Sequence, residues 1–196
     1  MRKQFMTACL YTLVTTVLLG LGYPLAVTGL AHLLMPAKAN GELITQNGIV
    51  VGSKVIGQPF TGAGYFNSRP SAAGTGYDAA NSSGSNLGPT NATLIARVDQ
   101  SVQSWKSRER KVGNGSSNVP VDLVTTSGSG LDPDITVAAA EYQVPSVAQT
   151  RGLPKDQLEH LVQTHIEPRQ FGFLGEPRVN VLELNLALDA MTVQKK

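Results

Sequence analysis

The chain has 196 residues and a formal net charge of +2 at neutral pH, with 16 basic and 14 acidic side chains. Three of the bases (Arg2, Lys3 and Lys38) and no acid precede residue 40, so the rest of the chain is close to neutral. This balance excludes a strongly basic face of the kind that binds nucleic acid. The single cysteine, Cys9, excludes a disulfide framework.

The first feature in chain order is an apolar stretch over residues 5–35, which lies inside a longer segment without charged side chains between Lys3 and Lys38. As a helix it would be about 46 Å long, whereas the hydrocarbon layer of a bilayer is roughly 30 Å thick. The stretch therefore predicts a transmembrane helix. A cleaved signal peptide is the alternative, because Ala37-Lys38-Ala39 matches a small-x-small cleavage site. The apolar stretch is, however, about twice the length of a usual signal-peptide core.

Two features of this stretch indicate orientation and packing. Arg2 and Lys3 precede it, and Lys38 is the only base close behind it. The positive-inside rule then places residues 1–4 in the cytoplasm and residues 40–196 outside the membrane. Within the stretch, small residues and a Tyr-Pro pair would let a partner helix approach closely, although a lone span also tolerates them. These residues are Gly20, Gly22, Tyr23 and Pro24.

The segment after the anchor begins with a predicted β-hairpin. Leu43-Ile44 and residues 49–51 flank Asn47-Gly48, a dipeptide typical of tight hairpin turns. A further short strand is predicted at residues 54–56. Residues 57–89 are rich in Gly, Ser, Asn and Pro but include four aromatic residues, which indicates a loop ordered against the rest of the domain.

The remaining elements alternate between helix and extended structure. An apolar stripe predicts a helix over residues 90–111, followed by a linker at residues 113–118 and an extended piece at residues 119–124. Asp132-Pro133-Asp134 resembles a helix start, with a helix over residues 135–142 that bends or restarts at Pro145. A helix is predicted over residues 155–166 and a half-buried strand over residues 181–189, where leucines alternate with other residues. The predicted fold class is α+β: one transmembrane helix and one small mixed domain, residues 40–196.

The sequence contains no recognisable catalytic or metal-binding motif. His160 and His165 are five residues apart, which would turn them away from each other on a helix. Two loops are the candidate sites. Residues 65–71 place two aromatics beside an arginine, residue types that anchor protein–protein contacts, unless the aromatics only cover the local core. Residues 83–91 form a Gly-rich turn before a helix, which would present N–H groups to an anion or be a capped helix start without a ligand.

Several stretches also resemble a known family. They are FTGAGYF (60–66), SRPSA (68–72), GSNLGPTN (84–91), VPVDLVT (119–125), GSGLDP (128–133) and VNVLELNLALD (179–189). Together they resemble the C-subunit family of the Kdp potassium-transporting P-type ATPase of bacteria and archaea, over the whole chain.

The resemblance implies a non-catalytic accessory subunit of a high-affinity potassium uptake complex in the bacterial plasma membrane. Its partners would be a channel-like potassium-binding subunit, a P-type ATPase subunit and a small one-helix subunit. The chain would be needed for assembly and stability, and would raise the ATP affinity of the catalytic subunit. It would have no cofactor of its own; ATP belongs to the complex. The two loops would then contact partner subunits through these residues: Tyr65, Phe66, Arg69, Pro70, Ser85, Asn86, Leu87 and Pro89.

A second class of function stays open on the residues alone. An anchored extracytoplasmic binding or enzyme domain unrelated to transport would have the same anchor and domain size. Such an enzyme would require a convergent set of catalytic side chains in the outer domain.

Overall fold

The structure is a computed structural model and describes residues 1–113 and 118–193, with side chains described up to Met191. It divides into two compact units, Met1–Ser53 and Lys54–Lys196. The first consists of a long helix and a hairpin, and the second contains the mixed α+β core. The predicted linker at residues 113–118 lies mostly outside the described residues.

The N-terminal helix runs continuously over Arg2–Leu34, 33 residues, and is long and apolar enough to cross a membrane. It consists of α1 (Arg2–Thr15), a π-helical segment (Thr16–Gly22) and α2 (Tyr23–Leu34). The N–H of Tyr23 bonds to the carbonyl of Leu18, five residues back. A proline ring clashes with the carbonyl four residues before it, so the wider turn accommodates Pro24 without ending the helix.

The predicted hairpin is confirmed, after a short helix α3 (Pro36–Ala39). Strands β1 (Leu43–Gln46) and β2 (Ile49–Ser53) pair antiparallel, and Asn47 and Gly48 turn the chain with φ of 50° and 79°. The predicted strand at residues 54–56 is wrong. The chain turns there because its backbone groups find other partners: the carbonyl of Lys54 accepts from Asn180 Nδ2 at 2.8 Å.

The core of the second unit forms between helices and one small sheet. Strands β3 (Asp134–Thr136), β4 (Ile166–Glu167) and β5 (Arg178–Asn180) form an antiparallel sheet with β5 in the centre. Helices α5 (Val137–Arg151), α6 (Lys155–Thr164) and α7 (Val181–Val193) complete it. Fully buried apolar side chains from these elements and from the preceding loop make the core: Phe66, Ala139, Val147, Leu158, Val162, Val179, Leu184 and Leu188.

Two predicted helices are confirmed with small changes of boundary. Helix α4 (Ala92–Arg110) starts after Asn91, whose side chain accepts from the N–H groups of Thr93 and Leu94. Helix α6 starts after Pro154 as predicted and ends at Thr164, before the short strand β4.

The predicted helix start at Asp132-Pro133-Asp134 is wrong. Asp134 lies in β3, where it pairs with Asn180, and the N-cap of α5 is Thr136, whose Oγ1 accepts from the N–H of Ala139 at 3.2 Å. The helix does not restart at Pro145 but continues through it to Arg151. Residues 134–136 pair with β5 and are therefore held in the sheet. The helix can begin only after this pairing ends, so Thr136 becomes its N-cap.

The predicted strand at residues 181–189 is also wrong, because this segment is helix α7. Asn180 ends β5 and caps the helix, with its Oδ1 accepting from the N–H of Glu183 at 3.1 Å. Leucine, alanine and glutamate favour helix. The buried residues 181, 182, 184, 185 and 188 follow the spacing of one helix face, whereas the alternating leucines include Leu186, which is only half-buried.

The loop over residues 57–89 is ordered against the domain, as its aromatic content predicts. Phe66 and Ala73 are fully buried within it, and it includes a single 3₁₀ turn at Ala79–Asn81. The predicted extended piece at residues 119–124 is instead a 3₁₀ turn at Val121–Leu123. There Leu123 enters the core, and its carbonyl accepts from the indole N–H of Trp105 at 3.0 Å.

Candidate functional site

The first loop, residues 65–71, is attached to the core through the backbone of Phe66. This ring is completely buried. Asn185 on α7 accepts from the N–H of Phe66 and donates to its carbonyl, both at 2.9 Å. The prediction that Phe66 is exposed on this loop is therefore wrong: its ring covers the local core, which is the alternative reading.

A second buried amide clamps the next residue of this loop. Gln143 on α5 accepts from the N–H of Asn67 at 2.7 Å and donates to its carbonyl at 3.1 Å. The Asn67 side chain continues the network, since its Nδ2 donates to the Phe60 carbonyl and its Oδ1 accepts from Arg108 at 2.6 Å. Gln143 and Asn185 thus supply the hydrogen bonds that a neighbouring strand would give this stretch of backbone.

Tyr65 is half-buried in a polar cluster. Its hydroxyl donates to Asp189 Oδ2 at 3.0 Å, and the Arg151 guanidinium lies over its ring at 4.3 Å. Arg151 also forms an ion pair with Asp189 at 2.8 Å and donates to the carbonyl of Gly64 at 2.7 Å. The cluster links the first loop to the ends of α5 and α7, so Tyr65 has a structural role.

Arg69 is engaged in contacts within the domain. Its guanidinium pairs with Asp132 at 3.2 Å and lies 4.0 Å from Asp122, and it donates to the carbonyls of Thr125 and Thr126. The hydroxyl of Tyr77 donates to the backbone carbonyl of Arg69 at 2.5 Å, and burial raises the pKa of that hydroxyl. Pro70 beside it is half-buried. The guanidinium is thus committed to folding this region.

The second loop, residues 83–91, is held at its start, where Ser83 and Gly84 lie against Gly130 and Gly128. Ser83 Oγ donates to the carbonyl of Ala72 at 3.1 Å, and Ser82 Oγ donates to that of Ser129 at 3.0 Å. Gly130 packs against the backbone of Ser83 and has φ of 67°. A β-carbon at Gly130 would come within 2.6 Å of the Ser83 carbonyl oxygen. Only glycine allows this close backbone contact, which positions the second loop.

The residues of the second loop differ in exposure. Asn86 and Pro89 are exposed, whereas Ser85 and Leu87 are half-buried. Asn86 has φ of 51°, a left-handed conformation that asparagine tolerates better than most residues. The N-terminus of α4 is already capped by Asn91, which supports the reading of a capped helix start over that of an anion site. Of the predicted interface residues, Ser85, Asn86, Leu87 and Pro89 therefore remain available for a partner.

A charged network on the sheet was missed by the sequence analysis. Lys54 pairs with Glu167 at 2.8 Å and Glu183 at 3.1 Å, and Arg178 pairs with Glu167 at 2.7 Å and Asp134 at 2.9 Å. The hydrogen bond with Lys54 lowers the pKa of Glu167, while burial raises the pKa of Asp134. These residues come from distant parts of the chain, so no spacing rule could have found them.

The network borders a cleft of about 220 Å³ that Arg69 and Arg178 line together with Asp122, Asp132 and Asp134. The acids there pair with the two arginines, so the cleft is a structural ion-pair cluster. Within residues 1–113 and 118–193, no group of three or more His, Cys, Asp or Glu side chains is arranged to hold a metal ion.

The end of α4 buries an acid. Glu109 is fully buried, and neither of its carboxylate oxygens has a hydrogen-bond partner among the residues that the structure describes. Burial and, secondarily, the charge of Glu109 raise the pKa of the Tyr142 hydroxyl, which also lacks a hydrogen-bond partner in the described part of the chain. Burying a carboxylate without a hydrogen-bond partner costs free energy.

The candidate packing residues of the anchor lie around the π-helical segment. Gly20 and Gly22 belong to it, and Tyr23 and Pro24 begin α2. A β-carbon at Gly20 or Gly22 would meet its nearest neighbours at 3.7 Å and 3.5 Å, ordinary contact distances. The helix itself therefore does not require glycine at these positions.

Comparison with known proteins decides the family. A family model described as KdpC, the c chain of K⁺-transporting ATPase, matches residues 5–190. The chain belongs to the KdpC family. It is 59% identical over 189 residues to the potassium-transporting ATPase KdpC subunit of Koribacter versatilis, covering 96% of this chain and 95% of that protein.

Other relatives with the same printed name support this membership. That of Acidobacterium capsulatum is 58% identical, with 94% of this chain and 97% of the relative covered. That of Mycobacterium tuberculosis H37Rv is 52% identical, with 97% and 100% covered. The KdpC match includes both the N-terminal helix and the mixed domain, as the motifs in the sequence predict.

Proposed function

We propose that this chain is a non-catalytic accessory subunit of an ATP-driven potassium uptake complex. The observation that carries the proposal is the KdpC match over residues 5–190, which covers the anchor and the outer domain together. Tyr65, Phe66 and Arg69, which stand out in the sequence, are engaged in holding the fold and are not free to act as catalytic groups.

The proposed topology follows from the charges around the helix. Residues 1–4 lie in the cytoplasm, residues 5–35 span the plasma membrane, and residues 40–196 lie outside. The continuous apolar helix over Arg2–Leu34 supports the span, and Arg2 and Lys3 support the orientation.

In the membrane, the anchor packs against partner helices at the level of the π-helical segment. Gly20 and Gly22 support this because their neighbours within the chain leave room for a larger side chain. Small residues let two helix backbones approach closely, and π-turns are frequent at functional sites. Tyr23 and Pro24 complete this contact surface.

Outside the membrane, the second loop contacts the channel-like potassium-binding subunit. Asn86, Leu87 and Pro89 make the contact, and Ser85 supports it from below. The start of the loop is held by the Ser83 hydroxyl, which donates to Ala72, and by the close contact of Ser83 with Gly130, so less conformational entropy is lost on binding.

Coupling to ATP is indirect in this proposal. Residues 40–196 lie outside, where no ATP is available, so the chain raises the ATP affinity of the catalytic subunit through the packing of its anchor. Such an increase in affinity requires only that the chain stabilises the conformation of the catalytic subunit that binds ATP more tightly. The small one-helix subunit is the third member of the complex.

The test is co-purification of the tagged full-length chain with a channel-like subunit and a P-type ATPase expressed from the same operon. We expect recovery of all subunits and potassium-stimulated ATP hydrolysis, with a higher KM for ATP when the chain is omitted. Recovery of the chain alone, in cells that make all subunits, contradicts the proposal. Pro89→Arg tests the second loop, with Gln157→Arg on the exposed face of α6 as the matched control.

A further inference from the structure

A closed turn between β4 and β5, residues 170–174, displays large apolar side chains to solvent. Phe171 is 79% exposed, Phe173 70% and Leu174 47%. Two backbone hydrogen bonds of 2.9 Å join Gln170 and Leu174 and close the turn at its base. Residues 170–174, the Phe turn, thus form a small closed turn with an apolar surface.

The backbone conformation of the Phe turn at Phe171 would suit glycine better than phenylalanine. Phe171 has φ of 55°, a left-handed conformation that is unusual for a residue with a bulky side chain. Glycine adopts it readily, as Gly172 and Gly175 do here with φ of 82° and 75°. Because the ring of Phe171 is mostly exposed, its burial contributes little to the stability of the fold. A contact with another molecule would bury it.

The charges around the Phe turn identify the kind of surface it fits. Arg169 pairs with Glu176 at 2.5 Å, and Arg178 pairs with Glu167 at 2.7 Å. With Lys54, Asp134 and Glu183, which belong to the same ion-pair network as Arg178 and Glu167, these charges are three bases and four acids. A loop that binds anionic lipid is expected to carry an excess of bases, whereas an apolar centre with a polar rim of mixed charge is the anatomy of a protein–protein interface.

We propose that the Phe turn inserts into an apolar groove of another protein subunit, with the Arg169–Glu176 ion pair at the rim of the contact. The existence of such a subunit rests on the proposed function; the place of contact does not. This surface is separate in sequence from the second loop and from the anchor, so it supplies an additional contact in the assembly.

The test uses the full-length tagged chain expressed with its partner subunits. In the double variant Phe171→Ser/Phe173→Ser, we expect recovery of partner subunits to fall at least about tenfold, as for the loss of aromatic anchors. The control Val55→Ser/Val121→Ser removes two other exposed apolar side chains, 51% and 63% exposed, and should leave recovery unchanged. Equal recovery of the Phe double variant and the wild type overturns the inference.

A second variant separates binding from folding. Phe171→Gly should not lower the midpoint of thermal unfolding of the detergent-solubilised chain, yet should reduce recovery of partner subunits. A lower midpoint would show that the ring serves the fold and would overturn the inference.

A photo-crosslinking p-benzoylphenylalanine in place of Phe173 should form an adduct with a partner subunit. An adduct with lipid only would overturn the inference. If the wild type itself recovers no partner subunit, the proposed function fails instead.

Discussion

At the scale of single residues, two buried amides decide the path of the first loop. Gln143 and Asn185 are 0% and 1% exposed, and each exchanges two hydrogen bonds with the backbone of residues 66–67. A buried backbone N–H or carbonyl without a partner is costly. The amides therefore explain how an irregular segment can run through the core.

This role leads to a prediction for Gln143→Leu, which keeps the approximate volume and removes both hydrogen bonds to Asn67. We expect a loss of roughly 2–4 kcal/mol in the free energy of unfolding, because a buried donor and a buried acceptor lose their partner. Urea unfolding of the detergent-solubilised chain, followed by circular dichroism, measures it.

Gln149→Leu, on an exposed position of the same helix, is the matched control and should change that free energy by no more than about 0.5 kcal/mol. Equal effects of the two substitutions would show that the hydrogen bonds of Gln143 do not hold the loop.

At the scale of elements, the start of α4 depends on one side chain. Asn91 accepts from the N–H of Thr93 at 2.9 Å and from that of Leu94 at 3.3 Å. The helix is only partly buried, and Glu109 is its one buried residue among those described, so it gains less from packing than α5 or α7. Its cap therefore contributes a larger share of its stability.

We accordingly expect Asn91→Ala to lower the free energy of unfolding by about 0.5–2 kcal/mol. Asn91→Asp keeps an acceptor at the same place and adds a negative charge near the helix N-terminus, so it should retain most of the wild-type value. Urea unfolding compares the three proteins. Equal losses for alanine and aspartate would mean that the cap hydrogen bonds are not responsible.

At the scale of the whole molecule, the division into a long apolar helix and a mixed domain has a direct consequence for topology. An apolar helix of 33 residues exposes a surface that water does not solvate well, and the flanking charges set its direction across the bilayer. The proposed orientation leaves the domain accessible from outside.

Protease added to intact spheroplasts should therefore digest residues 40–196 and leave a protected N-terminal fragment. An epitope tag at the N-terminus reports the fragment, and a cytoplasmic enzyme serves as the control for lysis. A domain that resists protease until the cells are lysed would exclude this orientation.

The sequence alone determined the features that depend on near neighbours. These are the apolar helix, the Asn-Gly hairpin, and helices α4 and α6, because periodicity, turn residues and prolines act over a few positions. The motifs also identified the KdpC family. Tertiary structure decided α7 in place of a strand, the cap at Thr136 and the burial of Phe66. The cap at Thr136 and the burial of Phe66 depend on partners far along the chain, as Phe66 and Asn185 show across 119 positions. For α7, helix propensity and the cap by Asn180 act locally, but the alternating leucines fit both a strand and a helix, and packing against the core decides between them.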